Sequence, residues 1–311
     1  MGMPAKDLSL GYEAAHESAA FCRVSDRRLF RVTGEDKIAY LQGMLSCDLK
    51  NIGPGDSLGG CVLTPKGRLL GELVAYHMGE EILLLCSSAS SAAVFAALAH
   101  AIGVSGSSIA DISSVLAFYY LCGPSAAQAA ETAASMVKYK LAFDFWGTSG
   151  YFLCADIEKA DELDKRLAGI SLGRLGPETI KTLRVESGCP AYGEDMDHSV
   201  FPEEANLSGF ISYSKGCYVG QETTAYIKNR GHLNRRIVAI KSAKALRPGA
   251  DVFQGGVKVG RATSVVFSPA LNAYLALAMV KMEFTQPGTV LQIRFGSQEE
   301  SVTVTPFPVS R

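Results

Sequence analysis

The period of the apolar positions changes along the chain. Residues 27–33, "RRLFRVT", alternate as a strand does, and "GEDKIAYLQGMLSCDL" after them sets Ile38, Leu41, Met44 and Leu45 at helical spacing. "LGGCVLTPKGRLLGELVAYHMGEEILLLC" holds three apolar runs broken at Pro65-Lys66-Gly67 and Gly79-Glu80-Glu81, which predicts an antiparallel meander. The serines at 87–91 then open a helix, "SAAVFAALAHAIG". A second round follows, with "SSVLAFYYLCG" as a strand, "PSAAQAAETAAS" as a helix, "YKLAFDFWGTSGYFLCAD" as a hairpin and "EKADELDKRLAG" as a helix. Two such rounds predict an α+β architecture with two pseudo-repeated halves. "GPETIKTLRVESG" adds a helix with Pro177 in its first turn and Gly188 near its end. Beyond about residue 236 the helical period disappears into short apolar runs separated by turn residues, the pattern of a small barrel or sandwich. The change of period divides the chain into residues 1–235 and a C-terminal domain, 236–311.

With 311 residues, 48% of them hydrophobic, the chain can bury a substantial core without staples. Thirty basic and 31 acidic residues give a net charge of -1, so no overall field draws in nucleic acid or an anionic membrane, and direct nucleic-acid contact is not expected. The opening segment lacks a cationic stretch leading into an apolar one, and no apolar run is long enough to span a bilayer. No two of the eight cysteines lie closer than fourteen residues, so there is no CxxC pair for zinc or dithiol exchange. Nearly all of them are expected in the core, in a chain of the reducing cytoplasm.

The densest chemistry lies in "SYSKGCYVGQETTAYIKNRGHLNRR", residues 212–236. Gly216 and Gly220 allow a tight turn around Cys217, and "QETTAYIKN" reads as a helix. A thiol near a helix start and beside Lys215 favours the thiolate; such sites lower a cysteine pKa from about 8.5 into the range of roughly 3.5–7.5. The competing reading is an inert, buried cysteine. Gln221 and Glu222 read either as site residues or as a surface amide and a first-turn charge complementing the helix dipole. Lys228, Arg230, His232, Arg235 and Arg236 are either a solvated face or a clamp for a carboxylate or phosphate tail.

A second cluster, "LRVESGCPAYGEDMDHSVFPEEANL", carries Glu186, Glu194, Asp195, Asp197, Glu203 and Glu204 around Tyr192. Their order is not that of a calcium loop and only His198 offers a nitrogen, so no metal is expected. A buried carboxylate here would instead accept paired hydrogen bonds from an amidine-like edge such as that of a pterin. No Ser-His-Asp arrangement, Walker loop or dinucleotide fingerprint is present.

These residues carry a family resemblance. "KGCYVGQE" resembles the signature of the YgfZ group of folate-binding proteins, relatives of the glycine cleavage T-protein (aminomethyltransferase). "DRRLFRVTGEDKIAYLQGMLSCDL", "LTPKGRLLGELVAY", "RVESGCPAYGED", "FPEEANL" and "RGHLNRR" stand in the family's order around it. The resemblance implies a cloverleaf of two α+β, ferredoxin-like domains around a tetrahydrofolate channel, with a small C-terminal β-barrel. Glu186 aligns with the folate-anchoring glutamate of the T-protein and becomes the candidate pterin acceptor. Tyr192, Lys215, Gln221 and Glu222 are further folate-binding candidates, and Arg230 and Arg236 candidates for the glutamate tail. The implied role is a tetrahydrofolate-binding accessory protein that supports assembly or repair of iron-sulfur enzymes, including those that modify tRNA. Cys217 would be its functional thiol and iron-sulfur clients its partners. Two departures stand out. The T-protein carries an aspartate in the segment matching "GRLLGELVAY", where this chain has Gly71 and Glu72; and the family's usual Ala-Arg after GQE is here Ala225-Tyr226. A folate-dependent aminomethyl transferase with Glu72 in the aspartate's role, and a folate-independent scaffold, are the rival expectations.

Overall fold

The computed structural model describes residues 5–103, 106–144, 148–170, 173–231, 233–296 and 298–308. The chain opens with α1 (Ala5–Glu17) and β1 (Ala20–Val24), then β2 (Arg27–Gly34), α2 (Lys37–Met44), β3 (Ser57–Leu63), β4 (Leu69–His77), β5 (Ile82–Ser87), α3 (Ser88–Ile102) and β6 (Ser107–Asp111). The second round is β7 (Leu116–Cys122), α4 (Ala126–Thr132), β8 (Tyr139–Phe143), β9 (Gly150–Asp156), α5 (Ala160–Gly169), β10 (Gly173–Arg174) and α6 (Pro177–Glu186). After α7 (Gln221–Arg230) come the strands β11 (Arg235–Ser242), β12 (Asp251–Gln254), β13 (Val257–Ser268), β14 (Ala273–Lys281), β15 (Val290–Phe295) and β16 (Gln298–Thr305). No described helix is long and apolar enough to cross a membrane.

These elements form two compact units. The first comprises residues 1–25, 115–190 and 235–311, the second residues 26–114 and 191–234. The expected boundary at 235–236 coincides with the start of β11, while the units themselves are assembled from separated segments.

In the second unit the sheet runs β3-β4-β5-β2-β6. Its inner face carries Phe30, Val32, Val62, Leu73, Ala75, Leu84 and Cys86, which pack on Leu41 and Leu45 at the end of α2 and on Val94 and Leu98 of α3. The Ser87 hydroxyl accepts from Ala89 N and caps α3, as the run of serines predicts. Gly71 faces this layer. A Cβ there would lie 2.6 Å from Val94 Cγ2 and 2.7 Å from Ser90 Cβ, so α3 seats on β4 only because position 71 has no side chain.

The first unit holds a sheet ordered β10-β1-β7-β9-β8 and a closed barrel, β11-β14-β13-β12-β15-β16. On the sheet, Phe21, Tyr119, Leu121 and Leu153 pack against the alanines of α4 and against Leu163 and Leu167 of α5. The barrel interior is filled by Val238, Ile240, Val252, Ala276, Ala278, Leu291, Ile293, Val302 and Val304, alternating along their strands. Closure decides between the barrel and the sandwich that the strand pattern left open. Helix α1 and strands β1 and β6 have no counterpart in the periodicity reading. In α1, Gly11 lets the helix approach β10 so closely that a Cβ would lie 2.4 Å from Arg174 O, a packing relation that local pattern does not reveal.

Candidate functional site

In the second unit the octapeptide 215–222 is a loop leading into α7. Lys215 is buried, and its Nζ donates to three main-chain carbonyls, those of Gln42 (2.6 Å), Leu45 (2.7 Å) and Cys47 (2.7 Å). All three ammonium hydrogens are thereby used. Lys215 is thus a clamp on the end of α2, which corrects the expectation that it binds a ligand or activates the thiol. Burial pulls its pKa down to about 8. Gly220 holds φ +84° at the N-cap of α7, and a Cβ there would lie 2.7 Å from Thr64 O; Gly216 has open space around it and needs no glycine. The helix begins at Gln221, so Cys217 lies ahead of its first turn and not within it. Gln221 Nε2 donates to Lys215 O (3.4 Å), which closes the loop, and Glu222 stands exposed in the first turn.

Cys217 is exposed, whereas six of the other seven cysteines are buried and Cys189 is partly so. This overturns the inert, buried reading of Cys217. Burial pushes Cys47, Cys122 and Cys189 up to about 11 and Cys86 to about 12, so these thiols stay protonated at neutral pH.

Alternation along β4 turns Gly71, Leu73 and Ala75 toward α3 and Glu72 to the opposite face, where Cys61 is its cross-strand partner. The residue as a whole keeps some surface, but Glu72 Oε2 touches no solvent and has no hydrogen-bond partner. The enclosure of the carboxyl itself matters for its chemistry. Burial pushes its pKa up to about 7, opposed by a backbone hydrogen bond and by the charge of Arg27. Tyr192 is held above the usual phenol range first by burial, then by the charges of Asp197 and Glu72, which places it in the same electrostatic neighbourhood.

Glu203 is the residue that sequence reading undervalued. It is buried, accepts a long hydrogen bond from Tyr213 Oη (3.3 Å) on Oε1, and leaves Oε2 without a partner. Burial raises its pKa. Its signal in the sequence was only membership of the acidic run. The neighbouring acids fix loops: Asp195 accepts from Ala191 N (2.9 Å), Asp197 from Ser199 N (2.7 Å) and Glu204 from Phe201 N (3.0 Å). Among the described residues no group of three or more His, Cys, Asp or Glu could hold a metal ion.

In the first unit, Glu186 ends α6 and is buried. Tyr12 Oη donates to its Oε2 (2.7 Å) and Ser268 Oγ to its Oε1 (2.5 Å). Two hydroxyls from residues 174 and 82 positions away thus orient the carboxylate, and each oxygen keeps a further lone pair for a donor. Beside it Arg184 donates to Ser264 Oγ (2.7 Å) and to Cys189 O (2.8 Å) and ties α6 to the barrel. Arg236 is exposed near the start of β11. The Arg230 side chain and His232 lie outside the described residues. A cavity of about 600 Å³ in this unit, lined by His16, Pro124, Thr148 and Tyr151 among others, contains none of the expected site residues.

Comparison with known proteins gives two domain matches. Residues 9–149 match the GCVT N-terminal domain and residues 235–310 the glycine cleavage T-protein C-terminal barrel domain. The aminomethyltransferase of Bacillus subtilis is 25% identical over 95% of this chain and 89% of its own length. That of Saccharopolyspora erythraea is 26% identical over 96% and 89%. Among solved structures, glycine cleavage system aminomethyltransferase T from Bartonella henselae superposes with a TM-score of 0.88 at 20% identity, over 97% of this chain and 89% of that one. With the two domains in the family's order and the barrel closing where the second one matches, the chain belongs to the glycine cleavage T-protein family.

Proposed function

We propose that this chain binds a reduced folate and catalyses transfer of a one-carbon unit, of the aminomethyl kind, with Glu72 as its proton-handling carboxyl. The observation that carries the reading is Glu72 itself, a carboxyl sealed from solvent, with an unpartnered Oε2 and a pKa near 7. A general acid–base group works best when its pKa lies close to the working pH. Gly71 is filled out by α3, so the acid of this strand stands at position 72. A reduced folate supplies the nucleophilic nitrogen that carries the one-carbon unit. The chain supplies Glu72 Oε2 to hold or return a proton, and Glu186, already aligned by Tyr12 and Ser268, to accept from the amino edge of the pterin. Tyr192 is a further candidate for folate contact, and Arg230 and Arg236 are candidates for the glutamate tail. Membership of a family whose relatives are named aminomethyltransferases supports the reaction class.

The test is consumption of an aminomethyl donor by the purified protein with and without tetrahydrofolate. Glu72→Gln should lower kcat by about 10²- to 10⁴-fold, the range of general acid–base contributions. The thermal shift produced by 5-formyl-tetrahydrofolate should survive in that variant and vanish in Glu186→Gln. Folate-dependent turnover that survives Glu72→Gln would sink the assignment.

A second reading rests on a separate observation, the exposure of Cys217 in a chain where six of the other seven thiols are buried. In it the folate site serves an accessory role toward iron-sulfur enzymes, and the thiol contacts the client. Cys217→Ala would then abolish rescue of a deletion strain without altering folate binding. Full rescue by that variant would eliminate this reading, and rescue by Glu186→Gln would favour a folate-independent scaffold.

A further inference from the structure

The near-neutral net charge conceals an uneven distribution. Residues 235–311, the barrel segment, hold ten Lys and Arg against four Asp and Glu, whereas residues 1–234 hold 20 against 27. The barrel segment therefore carries +6 and the rest of the chain -7. Three of the barrel's four acids are already engaged: Asp251 with Lys258 (2.7 Å), Glu299 with Arg294 (2.9 Å) and Glu300 with Lys244 (2.8 Å). The excess is positive, and part of it is organised around aromatic rings.

The organised part lies on β12, β15 and the adjoining end of β13. The guanidinium of Arg294 sits 4.3 Å from the centroid of the Phe253 ring, and that of Arg247 sits 5.2 Å from the Phe295 ring. Arg294 stands in register with Asp251 of β12, which pairs on its other side with Arg261 of β13. Arg261 Nε donates to Gly249 O (3.0 Å), which holds this exposed arginine against the loop that presents Arg247. Phe295, at the end of β15, is 45% exposed, and Val257, at the start of β13, 60%. An arginine over a ring offers a flat cationic plate, on which a base can stack while a phosphate accepts from its edge.

We propose that this face of the barrel binds single-stranded nucleic acid. Unpaired bases are required because a duplex hides its base faces, whereas the rings and guanidinium planes here offer stacking surfaces. The cations Arg247 and Arg261 neutralise backbone phosphates, and the exposed Phe295 ring beside Arg247 supplies the stacking surface. The surface is independent of the folate reading, since none of these residues belongs to that site.

The experiment uses the full chain and fluorescence anisotropy with labelled single strands of RNA and of DNA, about 16 nucleotides long, the upper end of common site sizes for single-strand-binding barrels. The matching duplex and anionic lipid vesicles run in parallel. Single strands should bind more tightly than the duplex, and the RNA and DNA arms identify the preferred sugar. Binding should weaken between about 50 and 200 mM salt. The double variant Arg247→Glu with Arg261→Glu should lose at least about tenfold in affinity and flatten the salt slope by roughly 1.4, the value for two lost single-strand phosphate contacts. Phe295→Ala should lose about fivefold or more with the slope unchanged, the signature of stacking. The variants lie on the surface, and their melting temperatures report that they fold. The proposal is overturned by absence of binding at low salt, by full affinity in the double variant, or by duplex and vesicles binding as well as single strands.

Discussion

Replacing Glu72 by Gln should change how stability depends on pH, and the size of the change follows from the enclosure of one carboxyl. In the folded chain the group titrates near 7, against an unperturbed 4.5. Between those values the folded state holds a proton that the unfolded chain has released. The contribution of the protonated carboxyl is therefore complete below about pH 4.5 and is lost as the pH rises through 7. A difference of about 2.5 pH units at about 1.4 kcal/mol each corresponds to roughly 3 kcal/mol. Above pH 8 the parent protein bears that full cost, because its ionised Oε2 has neither water nor a donor. An amide never ionises, so the variant escapes it. Urea unfolding of the two proteins across this range should give curves that nearly coincide near pH 4.5 and diverge by roughly 3 kcal/mol in favour of the variant at pH 8. Other groups titrate identically in both proteins and cancel in the comparison. A constant difference at all pH values would mean that the carboxyl is solvated and ordinary, and the acid–base role would lose its physical basis.

Lys215→Met keeps the length of the side chain but orphans the carbonyls of Gln42, Leu45 and Cys47, so it should cost about 3–5 kcal/mol, measured as a fall in the denaturant midpoint. A loss below about 1 kcal/mol would show that water reaches those carbonyls. An aromatic disulfide reagent should titrate Cys217 rapidly in the native protein and lose that phase in Cys217→Ala, with the partly buried Cys189 reacting slowly and the six buried cysteines only after unfolding. Rapid reaction of a second thiol would contradict their burial. Gly71→Ala should destabilise by about 1–3 kcal/mol through its collision with Val94 and Ser90, and a neutral outcome would show that α3 can shift.

Periodicity carried much of the fold. The strand at 27–33, the meander, helices α3, α5 and α6 and the strands after residue 236 were all legible, because each is specified by side chains close together in sequence. Strand β6 escaped because "SSIAD" offers too few apolar positions to establish a period, and β1 because it is short. Among site residues, the exposure of Cys217 agrees with a loop rich in glycine, and Glu186 was named from its alignment with the family.

What the sequence determined by itself was thus local: the period of each element, the turns between them, and the motif that marks the thiol loop. Tertiary structure decided which groups are chemically available. Lys215 looked like a free cation until the fold delivered three carbonyls to it from residues 168 to 173 positions away. Glu72 looked like an imperfect substitute for aspartate until α3 packed against Gly71 and the sheet enclosed Oε2. The tertiary fold likewise set Arg294 over Phe253 and Arg247 over Phe295, although a net charge of -1 gave no hint of them. Desolvation and electrostatics depend on distance in space, whereas periodicity depends on distance along the chain, and so charge state and access were settled only by folding.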